Sequence, residues 1–380
     1  MKNTIKFFGI IAFVAVIGFS MAACSGGGDD SGGGSPTKVV YKGMDAAANI
    51  YELTISKAAN RAAFSPIAGD DYVMTVTPPN GAGKKSEGAV DQSVEGGYSL
   101  KPTGATKVFN VAVNGENMVA IAGEVKYTDS TTSTTPVGLL PPTASGDATI
   151  STSGGVTTFV SGATVYYDRR ITNKAGAQAV TSFGYALSGD NEESFAGQDI
   201  TQLASGSSFT ITGGKLTAKF GAITNDIPLE DFSGDNFSTF TITPSDAKYF
   251  GEPDRPMVLV NKGGSLSTSA TDVWGLICNK SDTEYVSIVY VDKDVTVKGV
   301  SEHDGTIDIM DITASAGWNF VFISKVGKYN VFTVSKRIPA SYKWTVIDFN
   351  FPLDLGSGSD GGDHGGGGPG DGGDGDGDGE

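Results

Sequence analysis

Between Pro36 and Pro352 apolar side chains recur at every second position. Tyr51-Leu53-Ile55, Tyr72-Met74-Val76, Tyr98-Leu100 and Phe109-Val111-Val113 each line one face, with Glu52, Thr54, Thr75 and Asn110 between them. A period of two is that of a half-buried strand, whereas a helix repeats at 3.6. Turn clusters separate the runs: Pro78-Pro79-Asn80-Gly81, Glu95-Gly96-Gly97 and Asn114-Gly115-Glu116-Asn117. Short turns favour antiparallel neighbours, so residues 37–128 are expected to form an antiparallel meander. Closure would remove its exposed edges, giving a small barrel or half-barrel.

Residues 129–142 are rich in Ser, Thr and Pro and read as a linker. Strand patterns resume beyond it. The pattern marks Thr157–Tyr167, Ser208–Thr212, Lys215–Phe220, Ser238–Thr243, Met257–Asn261 and Val273–Cys278. It continues with Tyr285–Val291, Val295–Val300, Thr306–Ile312, Trp318–Ser324, Tyr329–Ser335 and Lys343–Phe351. Gly213-Gly214 and Asp304-Gly305 are two-residue hairpin signals. Val286, Ile288 and Tyr290 oppose Val289 and Val291, so this strand is apolar on both faces. Two-sided burial predicts inner strands of packed sheets, and residues 143–352 are expected to be a β-sandwich region of one or two modules. Short helices are predicted only at Asp190–Ala204 and Pro244–Tyr249. The fold class is therefore all-β.

The two ends have a different character. Lys2 and Lys6 precede the uncharged apolar run Phe7–Ile17, and Gly18–Ala23 then turns small. Residues 1–23 match the three-part pattern of a secretory signal peptide. An uncleaved anchor is the second reading, because a membrane span needs about 20 apolar residues. Ser20-Met21-Ala22-Ala23-Cys24 resembles a bacterial lipobox, with Met21 where Leu is usual. The resemblance implies a mature chain that begins at Cys24 and carries acyl groups there, palmitate-type chains that make the membrane its partner. Two or more chains anchor stably where one is marginal. An ordinary signal peptide with a chance Cys is the alternative. Residues 24–36 add six Gly and the pair Asp29-Asp30 to this Cys, a tether with no apolar area to bury.

Residues 353–380 form a Gly/Asp tail. From Gly356 onward it holds 14 Gly, six Asp and Glu380, with no Lys or Arg. Asp374, Asp376 and Asp378 alternate with Gly as in the first half of a calcium loop. The bidentate Glu that such a loop needs is missing, so these three are weak metal candidates in a solvated, disordered tail.

The chain carries 27 Lys+Arg against 43 Asp+Glu in 380 residues, a formal net charge of -16. That excludes an electrostatic grip on nucleic acid. Much of the excess lies in the tail, since the body between tether and tail holds 25 basic and 34 acidic residues. Two Cys and two His exclude a disulfide framework and a zinc ribbon.

Tyr41-Lys-Gly-Met-Asp45, Tyr51-Glu-Leu-Thr-Ile55 and Gly69-Asp-Asp-Tyr72 resemble modules of spirochaete-type lipoproteins. Tyr290-Val-Asp-Lys-Asp-Val-Thr-Val-Lys-Gly299 and Gly317-Trp318-Asn319 are similar to a β module in lipoproteins of spirochaetes and Bacteroidetes. The resemblance covers about half of the body. It implies an exported lipoprotein of the cell envelope, at the outer membrane or cell surface rather than the inner membrane, and it carries over no catalytic residues and no cofactor.

Chemistry-bearing patterns are sparse. Asn80-Gly-Ala-Gly-Lys-Lys-Ser86 has Pro78 where a phosphate loop needs Gly, and it reads as a hairpin tip. A serine or cysteine nucleophile needs a base, and the only histidines are His303 and His364. His303 sits among Glu302, Asp304 and Asp308, a metal candidate that reads better as a charged turn. Cys278 ends an apolar stretch and reads as a small buried hydrophobe. Glu192-Glu193, Glu230-Asp231 and Asp292/Asp294 are the close carboxylate sets. Trp274, Trp318 and Trp344 are either core anchors or a sugar-stacking platform. Two functions follow as expectations. One is a non-enzymatic binding or structural lipoprotein with a protein or glycan partner. The other is a carbohydrate-binding or carbohydrate-active protein that uses Asp/Glu and exposed Trp.

Overall fold

The computed structural model describes residues 38–57, 65–134, 136–142, 148–149, 151–153, 156–167, 207–223, 229–232, 237–250, 258–261, 273–281 and 283–347. Among these there is no α-helix, and the fold is all-β. The expected helix at Asp190–Ala204 lies outside the described residues. The one expected at Pro244–Tyr249 is instead a turn followed by the strand Lys248–Phe250. Pro244 cannot donate to a helical ladder, and Tyr249 and Phe250 pair across to Val291 and Tyr290.

The first body is a closed meander of seven strands: β1 (Lys38–Met44), β2 (Ile50–Ser56), β3 (Asp71–Thr77), β4 (Lys84–Val94), β5 (Gly97–Pro102), β6 (Phe109–Asn114) and β7 (Asn117–Gly123). Each pairs antiparallel with the next. The ring closes where β1 meets β7 in parallel, Lys42 beside Asn117. Beyond that point the two strands diverge, and a later segment fills the gap. After the short pair β8 (Val125–Lys126) and β9 (Thr132–Ser133), β10 (Val137–Gly138) pairs with β7, and Leu140 exchanges backbone bonds with Met44. Gly43 is required here, because a Cβ would stand 2.8 Å from the Met118 carbonyl and 3.0 Å from Leu139 Cβ.

Alternation turns Tyr51, Leu53, Ile55, Tyr72, Met74 and Leu100 into the barrel, all buried. Tyrosine hydroxyls in that interior are matched to each other and to β4. Tyr41 and Tyr98 share a hydrogen bond of 2.7 Å, and Tyr72 pairs at 3.0 Å with Ser86, which donates to the Lys126 carbonyl. Burial raises the phenol pKa of each of these three tyrosines.

The Ser/Thr/Pro stretch marks the divide between two cores and does so as part of the barrel seam. Leu139 belongs to the barrel core and Leu140, one residue on, to the next. Adjacent residues of an extended chain face opposite ways, so one seam strand serves both bodies.

The second body is built on a 15-stranded sheet whose central strands are Glu284–Val291 and Gly317–Val326. Val286, Ile288, Phe320 and Phe322 point into one core; Val289, Val291, Val321 and Ile323 point into another. One end of the sheet, with Leu216, Ala218 and Phe220, packs on the first face. The other end, with Val295, Val297 and Met310, packs on the second. The expected layering of residues 143–352 is thus one continuous sheet enclosing two cores. Gly213-Gly214 and Asp304-Gly305 close tight hairpins, with φ +57 and +71 at the glycine pair and +46 and +80 at Asp304 and Gly305.

Candidate functional site

The two bodies meet in a buried joint. Ala112, Val119, Ala120 and Ala122 of the outer barrel wall pack on Ile307, Ile309, Tyr329 and Val331. The small wall residues let the backbones of β6 and β7 come close to the opposing sheet. Two hairpin tips also touch through glycines: a Cβ on Gly96 would lie 2.6 Å from the Val326 carbonyl oxygen, and one on Gly327 would lie 2.6 Å from Glu95.

Polar groups fix the register of this joint at two places. Asp311 is buried, accepting the backbone N–H of Gly138 at 3.0 Å and the Lys298 ammonium at 2.6 Å. Glu284 is the second. Its side chain is only 2 % exposed, yet Oε2 accepts from Lys280 Nζ at 2.6 Å and from Asn114 Nδ2 at 2.7 Å. Lys280 and Glu284 flank one hairpin of the second body, and Asn114 sits at the β6–β7 turn of the barrel. Glu284 Oε1 is buried with no hydrogen-bond partner among the described residues. Ser324 stands directly across the sheet from Glu284. Tyr342 is close by, and burial, then the Glu284 charge, pushes its phenol pKa up.

An amine, a carboxamide and a buried carboxylate therefore converge across the joint. No sequence signal marks this group, since its members lie 170 residues apart and only the packing of the bodies brings them together. Glu284 follows a turn and reads from sequence as a solvated charge.

The residues singled out from sequence lie elsewhere. Cys24, Asp374, Asp376, Asp378, His364 and the pair Glu192-Glu193 fall outside the described residues. His303 Nδ1 is 3.7 Å from Asp308 Oδ2, whose partner oxygen accepts from Asn330. Among the described residues, no three His, Cys, Asp or Glu side chains gather to hold a metal. The carboxylate pairs do not face across a cleft. Asp292 accepts from the Lys248 backbone, Asp294 from Ala316, Glu230 from the Tyr249 hydroxyl, and Asp231 pairs with Lys248. Asn80–Ser86 runs through the β3–β4 hairpin, Val76 opposite Lys84.

Cys278 is buried, and burial pushes its thiol far above the ordinary range, which leaves it unreactive. Trp318 and Trp344 are core residues, 3 % and 4 % exposed. The Trp318 indole donates to the Gly221 carbonyl at 2.8 Å and packs on Phe220 and Tyr290. The Trp274 side chain is outside the described set. A shallow groove of about 530 Å³ crosses β3, β4 and β5, rimmed by Asp71, Glu87, Lys101 and Thr103.

Comparison with protein-family models, curated proteins and solved structures finds no match to this chain.

Proposed function

We propose that the protein is a lipid-anchored lipoprotein of the bacterial cell envelope, at the outer membrane or cell surface, whose β body serves as a rigid structural or binding scaffold. The anchor reading rests on Ser20-Met21-Ala22-Ala23-Cys24 and the Gly-rich tether that follows. The scaffold reading rests on one observation, the apolar joint between barrel and sheet. Domains joined by a small polar interface move relative to one another, whereas an extensive apolar one holds them as a single unit. Here eight buried apolar side chains and two buried carboxylates tie the bodies together. Such a body presents its loops at fixed separation to a protein or glycan partner. The carbohydrate-active reading needs exposed tryptophans, and the burial of Trp318 and Trp344 counts against it.

The test is metabolic labelling with a palmitate analogue in cells that make the wild-type chain or Cys24→Ser, followed by protease treatment of intact cells. Label on the wild type alone, and loss of the body from intact cells, support a surface lipoprotein. An unlabelled wild type ends the anchor reading, and protection until lysis moves the protein to the periplasmic face.

A further inference from the structure

We infer that Lys280 and Asn114 become joined through an amide bond between their side chains, with Glu284 as the proton carrier, so that the barrel is covalently welded to the second body. The inference rests on geometry at the joint and is independent of lipidation or partner.

Lys280 Nζ and Asn114 Nδ2 both lie within hydrogen-bond distance of one oxygen, Glu284 Oε2, at 2.6 and 2.7 Å. The amide carbon of Asn114 is one bond beyond Nδ2, and Lys280 has the rotamer freedom to bring its nitrogen to the roughly 3–3.5 Å approach that bond formation needs. Glu284 is held in place by burial and by its strand pairing with Ser324, while Lys280 is only partly covered. Packing and turn geometry thus bring nucleophile, acceptor and carrier together, so no translational entropy is lost at the moment of reaction.

The step balances without an oxidant or a second substrate. Glu284 takes one proton from the Lys280 ammonium, leaving a neutral amine, the nucleophilic form of lysine. Nζ attacks Cγ of Asn114 and forms the new N–C bond. The proton held by Glu284 passes to the departing nitrogen. The Cγ–Nδ2 bond breaks and ammonia leaves, Glu284 receiving the remaining proton of the former amine and ending as a neutral acid. The bare Oε1 gives the step a driving force. A buried carboxylate with one oxygen lacking a partner among the described residues is an expensive group, and so is a half-buried ammonium. The product carries neither charge. Exclusion of water from the joint also protects the acceptor carbon from hydrolysis.

The test is a tryptic peptide map of the denatured full-length protein by mass spectrometry. The expected result is a branched peptide joining the Asn114 and Lys280 segments, no cleavage after Lys280, and a mass about 17 Da below the sum of its parts, one ammonia. Lys280→Arg and Glu284→Gln are each expected to abolish the branch. Asn114 precedes Gly115, and ring closure onto that backbone also expels ammonia. An unbranched peptide carrying that mass loss, or normal cleavage after Lys280 in the wild type, overturns the proposal. The wild-type map decides the matter even where a variant fails to fold.

Discussion

The glycine contact at the joint gives a measurable separation between backbone strain and packing. Gly96 has φ +77 and Gly305 has φ +80, so alanine at either site meets the same left-handed backbone penalty, about 1–2 kcal/mol. Their surroundings differ. A Cβ at Gly305 has nothing within 4 Å, whereas one at Gly96 would sit 2.6 Å from the Val326 carbonyl oxygen and 3.0 Å from Gly327 Cα, both backbone atoms of the second body. Backbone cannot rotate aside as a side chain can, so the joint has to open or the turn has to shift. Overpacking of this kind costs about 1–3 kcal/mol. Gly305→Ala is therefore expected to lose about 1–2 kcal/mol in urea denaturation and Gly96→Ala about 2–5. Limited proteolysis adds a second readout, because cleavage within residues 129–142 should accelerate for Gly96→Ala and not for Gly305→Ala. Equal losses for the two variants, with no change in proteolysis, would show that the tips do not bear on each other.

Three further perturbations probe the cores. Asp311→Ala strands the Gly138 N–H and the Lys298 ammonium and is expected to cost about 2–3 kcal/mol, whereas Asp311→Asn keeps an acceptor for Gly138 and should cost about half as much, both read by chemical denaturation. Trp318→Phe removes the donor to the buried Gly221 carbonyl and should cost about 1–3 kcal/mol, with near-ultraviolet circular dichroism reporting the altered packing. The barrel should also be alkali-sensitive. Burial raises the Tyr72 phenol from its ordinary value of 10.0 to about 12, and Tyr41 and Tyr98 shift the same way. Above pH 10 the unfolded chain gives up these protons and the folded one keeps them. Stability is thus constant below about pH 9 and falls as pH rises from 10 towards 12. Tyrosinate absorbance that rises in step with loss of β circular dichroism is the expected result, and a smooth titration of all tyrosines in the folded state would contradict it.

Much of this fold was readable in the period of two, and the exceptions are instructive. Strands such as Ser208–Thr212 and Lys215–Phe220 appear where alternation predicts them, because each has one wet face. β4 is long and almost unmarked, reading Lys-Lys-Ser-Glu-Gly-Ala-Val. Its inward positions are Ser86, Gly88 and Val90, small because Tyr72 fills the barrel opposite and needs the Ser86 hydroxyl. A Cβ on Gly88 would stand 2.1 Å from the Lys101 carbonyl oxygen. β7 fails the alternation test for the opposite reason: Val119 and Ala120 are buried against the second body while Met118 and Ile121 fill the barrel. The joint itself left no local trace, because its polar contacts are long-range in sequence and its apolar members look like ordinary strand residues.

The position of the joint relative to the anchor sharpens what it is for. The tether leads directly into β1, and β1 closes the barrel against β7 and the seam residue Leu140. A pull on the second body is therefore transmitted to the membrane through the joint, then across the barrel to β1. Noncovalent strand pairs and an apolar patch resist such a pull only as long as they stay docked. A bond from Asn114 to Lys280 would span the joint at the β6–β7 turn, one strand away from the β1–β7 closure, and would bypass that patch. An anchored scaffold gains most from covalent reinforcement at this junction. Measured resistance to forced separation of the two bodies should then drop sharply in Lys280→Arg, even where equilibrium stability changes little.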